Sequence, residues 1–460
     1  EVSELVINEF MAANDGGMTN NANSWYPIAN QVPGTSEDWI EILNTGSTTL
    51  DLGGWRLTDN VGDLAKWTFP PGTNLGSGQF LIVYASNDNA PDANGNLHTN
   101  FKLSGGGEYL ALVRPSGTIA SEFGPGGSDY LSQDDDISYG LHPVTGESVF
   151  FQNPTPGSAN DPGGVLLVAD TNFSHKRGYY TSAFDVTIST DTPGATIRYT
   201  TDGTLPTLSN GSTYSTPISI TTTTVLRTRA YKTGQQETDV DTQSYIFPVD
   251  VASQTKPAGY PNNWGNNDYE VDTSISQSGT YSTRFQTGLR SVPTVSLVGN
   301  PLDFFGPSGI WVNTGNRNLE APVSVEYFQP DALTDGVNTL NGFQIDCGAK
   351  LQGGASRNPG SAVKHSMSMR FRDTYGEGKL NFPVFEDNKV TTFDSLHLRA
   401  MYNNSWVHSS SSQRARATMI RDQWARSSMI DMGNLDGGHG HYAHVYINGL
   451  YWGLYNLHER

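Results

Sequence analysis

The sequence predicts a mainly β, multidomain protein. At 460 residues the chain exceeds the usual length of one domain. Charged residues make up only 16%, while 50 glycines and 24 prolines separate short apolar runs. That pattern is typical of many short strands joined by tight turns. Heptad repeats and apolar runs of membrane length are absent from the sequence, so neither a coiled coil nor a membrane-spanning helix is predicted.

The charge balance is acidic, with 46 Asp and Glu against 27 Lys and Arg and a net charge of -19. A surface this acidic repels phosphate backbones, so we expect no nucleic-acid partner. The one cysteine, Cys347, cannot form an intrachain disulfide. Because Cys347 lies in an alternating run, we expect a buried structural thiol.

The chain starts with "EVSELVINEF", which predicts a strand directly and includes neither a signal peptide nor an initiator Met. This start fits a processed N-terminus, and it also fits a trimmed chain. Together with the abundance of Gly, Ser, Thr and Asn, it favours a secreted or cell-surface protein.

Residues 1–160 contain strand patterns at the spacing of an antiparallel sandwich. "DWIEILNTGSTTLDLGGWRLTD" alternates strands and turns, "QFLIVYAS" is a buried strand, and "EYLALVRPSGTIAS" is a hairpin. These stretches, together with "INEFMAAN", "WTFPPGTNLGSG" and "NPTPGSAN", resemble a lamin tail domain. The resemblance implies an immunoglobulin-like β-sandwich that serves as an accessory module and has no catalytic role.

One loop of this segment, "DNAPDANGNLH", offers several oxygen ligands in alternation. Asp88, Asp92, Asn94 and Asn96 are the candidate calcium ligands, because hard cations bind oxygens that converge from one loop. The bidentate Glu that commonly completes such a loop is missing at the expected distance. A solvated surface loop without Ca²⁺ is therefore the alternative, and the sequence favours it.

Residues 165–250 predict a second sandwich of short strands separated by Pro, Gly and Asn turns. "TIRYTTDGTLPT" followed by "TVLRTRAYKTG" resembles the small fibronectin-like module at the end of chitobiases and related hexosaminidases. The resemblance implies a second immunoglobulin-like sandwich that carries no active site. Tyr199 and Tyr231 have rings suited to stacking on a sugar, although core packing is the favoured role, so carbohydrate binding is only weakly indicated.

Residues 251–291 predict a polar connector that contains Tyr260, Trp264 and Tyr269. We expect these rings to pack on a neighbouring domain, because leaving them in water is costly.

Residues 292–460 mix strands with one helix. "FQIDCGAKLQGG" and "KHSMSMRFRDTYG" predict a hairpin, and "SLHLRA" predicts another strand. "SQRARATMIRDQWARSSMIDMG" predicts the helix, with Ala417, Ile420, Trp424 and Ile430 along one stripe. "HYAHVYINGLYWGLYNLHER" predicts a hairpin with its turn at Asn448 and Gly449.

Five stretches of this segment together resemble the spore-coat CotH family of atypical protein kinases. They are "GAKLQGGASR", Lys364, "FDSLHLRA", "RARATMIRDQWARSSMIDMG" and "VYINGLYWGLYNLHER". The resemblance implies an α+β kinase-like small lobe, ATP and Mg²⁺ as cofactors, and phosphate transfer to an extracellular protein. In that family a second lobe supplies the aspartates that bind the metal. We therefore expect an incomplete lobe here, with no catalytic residue in this chain and no activity of the 460 residues alone.

By the same resemblance, Arg357 and Lys364 would hold the nucleotide phosphates and Glu459 would lie near the seam between lobes. Arg421 and Asp422 would orient the lobe or assist Lys364. A glycine-containing turn leaves room for phosphates, and a lysine on the following strand pairs with them. The alternative is an ordinary hairpin with a solvated basic flank, beside a surface pair on the helix.

Two functional hypotheses follow. In the first, the protein is an exported bacterial surface protein whose kinase module modifies a protein substrate. In the second, it is a structural or adhesive scaffold, or an assembly subunit, with a non-catalytic kinase-like lobe and a surface partner. An incomplete lobe should also expose an apolar face around Tyr451, Trp452 and Leu454 and self-associate through it unless a missing part covers it.

Overall fold

The computed structural model describes residues 4–14, 37–131, 133, 136–258, 260, 269, 271–329, 342–362, 364–372, 374–376, 378–385, 390–406, 408–433 and 438–459. The chain forms two compact units. The first contains residues 1–169 and 233–236, and the second contains residues 170–232 and 237–460. Within the described residues, no helix is long and apolar enough to cross a membrane.

The first unit is an antiparallel sandwich, as the sequence predicts. Buried side chains of both sheets, among them Ile7, Ile42, Leu57 and Leu112, form one apolar core. Its strands are β1 (Leu5–Met11), β2 (Trp39–Asn44), β3 (Leu50–Asp51), β4 (Arg56–Thr58), β5 (Trp67–Thr68), β6 (Asn74–Leu75), β7 (Phe80–Tyr84), β8 (Leu97–His98), β9 (Leu110–Val113), β10 (Ile119–Phe123), β11 (Ser138–Leu141), β12 (Ser148–Phe151) and β13 (Leu166–Leu167).

Two main sheets build this sandwich. One has six strands in the order β12-β11-β1-β2-β7-β8, and the other has four in the order β10-β9-β4-β5. The strands β3 and β6 form a separate antiparallel pair. Apolar side chains on the inner faces of the two sheets pack against each other and form the shared core of the sandwich.

The second unit begins with a smaller β module. The strands along this part of the chain are β14 (Thr171–Phe173), β15 (Gly178–Tyr179), β16 (Phe184–Val186), β17 (Ile188–Thr190), β18 (Thr196–Thr200), β19 (Ser212–Thr213), β20 (Ile218–Ile220), β21 (Thr224–Tyr231), β22 (Gln235–Gln236) and β23 (Asp241–Ile246). The sheet with the most strands has the order β15-β23-β21-β18-β19. Two further antiparallel pairs are β14-β17 and β16-β20. The short β22 belongs to the first unit, where it pairs in parallel with β13.

The connector contains three short helices, α1 (Pro248–Val251), α2 (Thr273–Ser276) and α3 (Ser282–Gly288). Tyr269 is buried in the core of the following domain, where its ring lies 6.1 Å from that of Trp452. Tyr260 packs on the same core. The expectation for these two rings is confirmed, whereas Trp264 lies outside the described residues.

The last domain is a closed seven-stranded barrel in the order β24-β25-β26-β27-β30-β32-β31. Its strand β24 pairs in parallel with β31 and closes the barrel. The elements are β24 (Thr294–Val298), α4 (Pro301–Phe305), β25 (Ala321–Phe328), β26 (Gly342–Gln352), β27 (Ser366–Arg370), β28 (Leu380–Asn381), β29 (Thr392–Phe393), β30 (Ser395–Arg399), α5 (Ser411–Arg414), α6 (Arg421–Asp431), β31 (Gly440–Ile447) and β32 (Leu450–Glu459).

Alternate residues of these strands fill the barrel, and Cys347 lies among them with no exposed surface. The expected buried thiol is therefore confirmed. The hairpin predicted at Asn448 and Gly449 is also confirmed. Both turn residues have positive φ, 49° and 77°, as the tight turn between twisted strands requires.

Two expectations for this domain are wrong. The single helix is split into α5 and α6, because Met419 between them has a left-handed φ of 63°. Two residues of its apolar stripe face solvent, with Ile420 58% and Trp424 68% exposed, and the other two, Ala417 and Ile430, are half-buried.

The apolar face expected around Tyr451, Trp452 and Leu454 is also not found. Trp452 is 1% exposed, and Tyr451 and Leu454 are half-buried. The alternation of β32 points Trp452 into the barrel core, so its ring is not available to a partner.

Within the second unit, the small β module packs on the outer face of β25. Glu326 has no exposed surface and accepts a hydrogen bond from the Ser244 backbone N–H at 2.9 Å. Its Oε1 lies 3.3 Å from Arg177 Nε. This buried pair fixes the two parts of the unit to each other.

Candidate functional site

In the hairpin of β26 and β27, the chain turns sharply directly after β26, at Gly353, in a backbone conformation that favours glycine. Gly353 has a φ of 110°, and an added Cβ would lie 2.1 Å from Ser356 Oγ. The following residues 355–357 form a single 3₁₀ turn. The predicted hairpin is confirmed, with Gln352 opposite Ser366. Lys364 lies two residues before β27 and not on the strand as expected.

A cleft of about 780 Å³ lies beside this turn. Its size is within the range of small-ligand pockets, about 300 to 1,000 Å³. Strands β26, β27, β30 and β32 contribute one part of its lining, and α6 contributes another. The lining includes Gln352, Gly353, Ser356, Ser366, Met367, His397, Arg399, Arg421, Asp422, Ala425, Arg426, His458 and Glu459.

An ion-pair cluster lies in the lining of this cleft. Asp422, in the first turn of α6, pairs with Arg399 at the end of β30. Arg426, one turn later, places its Nε 3.3 Å from the same carboxylate oxygen. The resemblance implied that Asp422 orients the lobe or assists Lys364, and in the structure its ion-pair partners are these two arginines. Arg421 donates to the Arg416 carbonyl at 3.0 Å.

Sequence reasoning missed Arg399. The available signal was its position, since a basic residue ends the last strand before the helix in "FDSLHLRA". The sequence did not indicate that Asp422 is the partner of Arg399, because Asp422 lies 23 residues later and only the fold brings the two side chains together.

The three residues assigned to nucleotide binding occupy different surroundings. Lys364 Nζ lies 3.9 Å from the centroid of the Trp452 ring. Arg357 lines a separate cavity of about 200 Å³. Glu459 lines the larger cleft and accepts a hydrogen bond from the His439 backbone N–H at 3.0 Å. The two cavities share Gln352, Gly353 and His397 in their linings, so they adjoin. The assignment of these residues to a nucleotide stays a prediction.

Burial lowers the pKa of two histidines of the last domain, His458 in the lining of the cleft and His441 outside it. Burial lowers the pKa of His458 to about 4, although the Glu459 backbone carbonyl opposes the shift. Burial likewise lowers the pKa of His441 to about 4. At neutral pH the positive charge of this cleft therefore comes from arginines and not from His458.

The candidate calcium loop is closed largely by its own hydrogen bonds. Asp92 accepts from the backbone N–H of Asn94 at 2.8 Å and of Asn96 at 2.9 Å. The Asn96 side chain also donates to Asp92, at 2.8 Å. These contacts favour the interpretation of a self-capped surface loop, and calcium binding by Asp88, Asp92, Asn94 and Asn96 stays a prediction.

Asp88 lies in a different group that the sequence did not suggest. His98 Nδ1 is 3.8 Å from Asp88 Oδ2 and 3.4 Å from Glu37 Oε2. It also lies 2.8 Å from Ser86 Oγ. One imidazole and two carboxylates within 4.8 Å of one another are a donor set that could serve a divalent cation. His98 already contacts both carboxylates directly without an ion.

The tyrosines considered for sugar stacking are both half-buried. Tyr231 donates its hydroxyl to the Pro206 carbonyl at 2.8 Å. A bond that anchors the ring to its own module supports a packing role, and carbohydrate binding stays a prediction.

The folds of the first two modules place both of them in the class of small, mainly antiparallel β domains. The comparisons agree with that class. Residues 1–127 match the Lamin Tail Domain, and residues 175–242 match the Chitobiase/beta-hexosaminidase C-terminal domain. Both expected resemblances are therefore confirmed. Among curated proteins no match to the chain is found.

Proposed function

We propose that residues 292–460 are the nucleotide-binding lobe of a CotH-like protein kinase carried by an exported bacterial surface protein. In this proposal the kinase uses ATP and Mg²⁺ and transfers a phosphoryl group to an extracellular protein. The two accessory modules, residues 1–160 and 165–250, present that lobe outside the cell.

The observation that carries the proposal is the pair Arg399–Asp422 in the lining of the cleft. Protein kinases depend on an ion pair between a basic residue on the third strand of the small lobe and an acidic residue on the adjacent helix. Here β30 is the strand directly before the helices, and α6 supplies the acid. The Gly353 turn and Glu459 line the same cleft, which supports a ligand that extends from the turn towards the end of β32.

In a bound state, this chain's groups would act mainly by position and charge. Arg399, held by Asp422, would present its guanidinium to phosphate oxygens in fixed geometry. The Gly353 backbone would approach the phosphates closely because it has no side chain. Mg²⁺ would neutralise phosphate charge, and the resemblance assigns its aspartate ligands to a second lobe.

The test is ATP binding by the 460-residue chain in the presence of Mg²⁺, measured by calorimetry. Arg399→Met should weaken ATP at least about tenfold, because charge-assisted hydrogen bonds contribute about 1.5–3 kcal/mol. Arg416→Met is the matched control, since Arg416 is exposed and only its backbone carbonyl is used by Arg421. The proposal fails if the wild-type chain does not bind ATP, or if both variants bind it equally.

A scaffold function is the second candidate, and one observation favours it. The small β module is fixed to the barrel through buried Glu326, Arg177 and Ser244. A rigid two-part unit suits a protein that holds a surface partner at a set distance. Surface attachment that survives Arg399→Met, in a chain that binds no ATP, would support this candidate over the first.

A further inference from the structure

The cavity of about 200 Å³ beside the Gly353 turn is the most basic concave site among the cavities that the structure describes. Four of the residues in its lining are lysine or arginine, although the whole chain carries a net charge of -19. They are Arg317, Lys350, Arg357 and Arg370. Such a concentration of one charge in an acidic protein favours a specific anion.

One carboxylate partly neutralises the cluster. Glu320, whose side chain is 9% exposed, lies 4.0 Å from Lys350 Nζ and 3.9 Å from Arg370 Nε. It lies closer, at 3.2 Å, to Arg372 Nη1 and also accepts a bond from Tyr375 at 3.1 Å. Glu320 is thus shared by three cations, and its shortest contacts are to Arg372 and Tyr375, which do not line the cavity.

Arg357 points most directly to a ligand. The residue is 7% exposed, yet its Nε has no hydrogen-bond partner among the described residues. No described carboxylate lies within ion-pair distance of its guanidinium, and the nearby charge that acts on it is Arg317, a second cation. Within the part of the molecule that the structure describes, the guanidinium therefore has a buried Nε–H without an acceptor and no carboxylate counter-charge, and an oxyanion in the cavity would supply both.

Two other basic residues of the site, Lys350 and Arg370, also lack a full set of stabilising contacts. Burial lowers the pKa of Lys350, and the neighbouring Arg370, Arg372 and Arg357 lower it further against the effect of Glu320. Arg370 Nε is buried without a hydrogen-bond partner in the described part of the chain. Three donors that face one cavity and lack short contacts there are arranged to receive oxygens.

We infer that this cavity binds a phosphate-type oxyanion through Arg357, Lys350 and Arg370. Its volume is below that of ordinary small-molecule pockets, about 300 Å³ at the lower limit, and suits a single tetrahedral group better than a whole nucleotide. Arginine and lysine are the side chains that recognise such groups. The inference deepens the proposed function and rests on it only for the phosphate's carrier, because the cavity adjoins the larger cleft. Free orthophosphate and the terminal phosphate of a nucleotide share the recognised chemistry.

The experiment uses the full 460-residue chain and inorganic phosphate as the probe. Thermal unfolding and calorimetry are recorded with phosphate and with sodium chloride at equal ionic strength. Phosphate should raise the unfolding midpoint more than chloride does, because it binds only the folded state. Arg357→Met and Lys350→Met should each weaken phosphate at least about tenfold. Lys379→Met, at an exposed lysine of the same domain, is the matched control and should leave phosphate binding unchanged.

Arg357→Met has a second readout that a merely structural arginine would not show. Without phosphate this variant should be at least as stable as the wild-type chain, because it removes a buried Nε–H that has no hydrogen-bond acceptor among the described residues. A marked loss of stability would mean that Arg357 has structural partners. Equal effects of phosphate and chloride on the wild-type chain, or phosphate binding retained in both cavity variants, would overturn the inference.

A competition experiment with ATP distinguishes free orthophosphate from the terminal phosphate of a nucleotide as the natural ligand. If ATP displaces phosphate in the wild-type chain, the nucleotide's phosphate is the carrier and both proposals are supported. If phosphate binds and ATP does not, the oxyanion site stands and the proposed kinase function fails. If ATP binds and Arg357→Met weakens neither ATP nor inorganic phosphate, this inference fails while nucleotide binding stands.

Discussion

The ammonium of Lys364 lies 3.9 Å from the centre of the Trp452 ring, at the edge of the barrel core. Trp452 is 1% exposed, and its ring also packs 5.1 Å from that of Trp311. The contact explains why Lys364 is not directed into the basic cavity beside Arg357. In this conformation the lysine contributes to the barrel, and a role with phosphate would require it to leave the ring.

Lys364→Met should therefore lower the free energy of unfolding of the second unit by about 0.5–2 kcal/mol, the range for cation–π contacts from exposed to desolvated sites. Lys364→Arg should keep most of that contribution, because arginine also stacks on indole. Urea denaturation followed by tryptophan fluorescence measures the change. Lys379→Met serves as the control and should leave the midpoint unchanged; a Lys364→Met midpoint equal to the wild-type value would contradict the role given to the contact.

The buried pair of Arg177 and Glu326 leads to a larger effect. Arg177→Met would leave the Glu326 carboxylate without its cation in a fully buried position, and breaking a buried pair costs about 3–5 kcal/mol. Adding Glu326→Gln should recover part of that loss, since the remaining charge disappears. Arg229→Met is the contrast, because its partner Glu237 is 37% exposed and surface pairs contribute about 1 kcal/mol or less. Denaturation curves in which Arg177→Met and Arg229→Met cost the same would contradict the interpretation.

The first unit should lose stability as the pH rises through neutrality. Burial raises the pKa of Glu41 to about 8, against the opposing effect of the Gly157 and Asn8 hydrogen bonds. The unfolded chain releases this proton near pH 4.5 and the folded chain only near pH 8, so the folded state binds more protons in between. Stability is therefore fully present below about pH 4.5 and declines up to about pH 8.

Hydrogen exchange of the amides in β2 measures this decline. Glu41→Gln should make the slope between pH 4.5 and 8 shallower without removing it, because Asp38 and Glu108 have pKa values raised by burial to about 6 and about 7. Glu147→Gln, at an exposed position, should keep the wild-type slope. A Glu41→Gln slope as steep as that of Glu147→Gln would rule out Glu41 as a source of the pH dependence.

Local pattern was sufficient for most strands and for two of the modules. Period-two alternation in "FQIDCGAKLQGG" and the Asn448–Gly449 turn depend on neighbouring residues alone, and the structure confirms both hairpins. The prediction of one helix with Ala417, Ile420, Trp424 and Ile430 along a stripe was wrong, because helical periodicity indicates only that one face is apolar. It does not say whether that face meets a core, and here Trp424 is 68% exposed.

By itself, the sequence determined the mainly β class, the two β-sandwich modules, the buried thiol and the basic hairpin, because each depends on residues close together in the chain. Only the tertiary structure decided the partners of the charged groups. It paired Arg399 with Asp422, turned Lys364 onto Trp452 and gathered Arg317, Lys350 and Arg370 around Arg357. The physical reason is that charge interactions depend on distance and burial, and both are set by how the barrel strands and α6 come together.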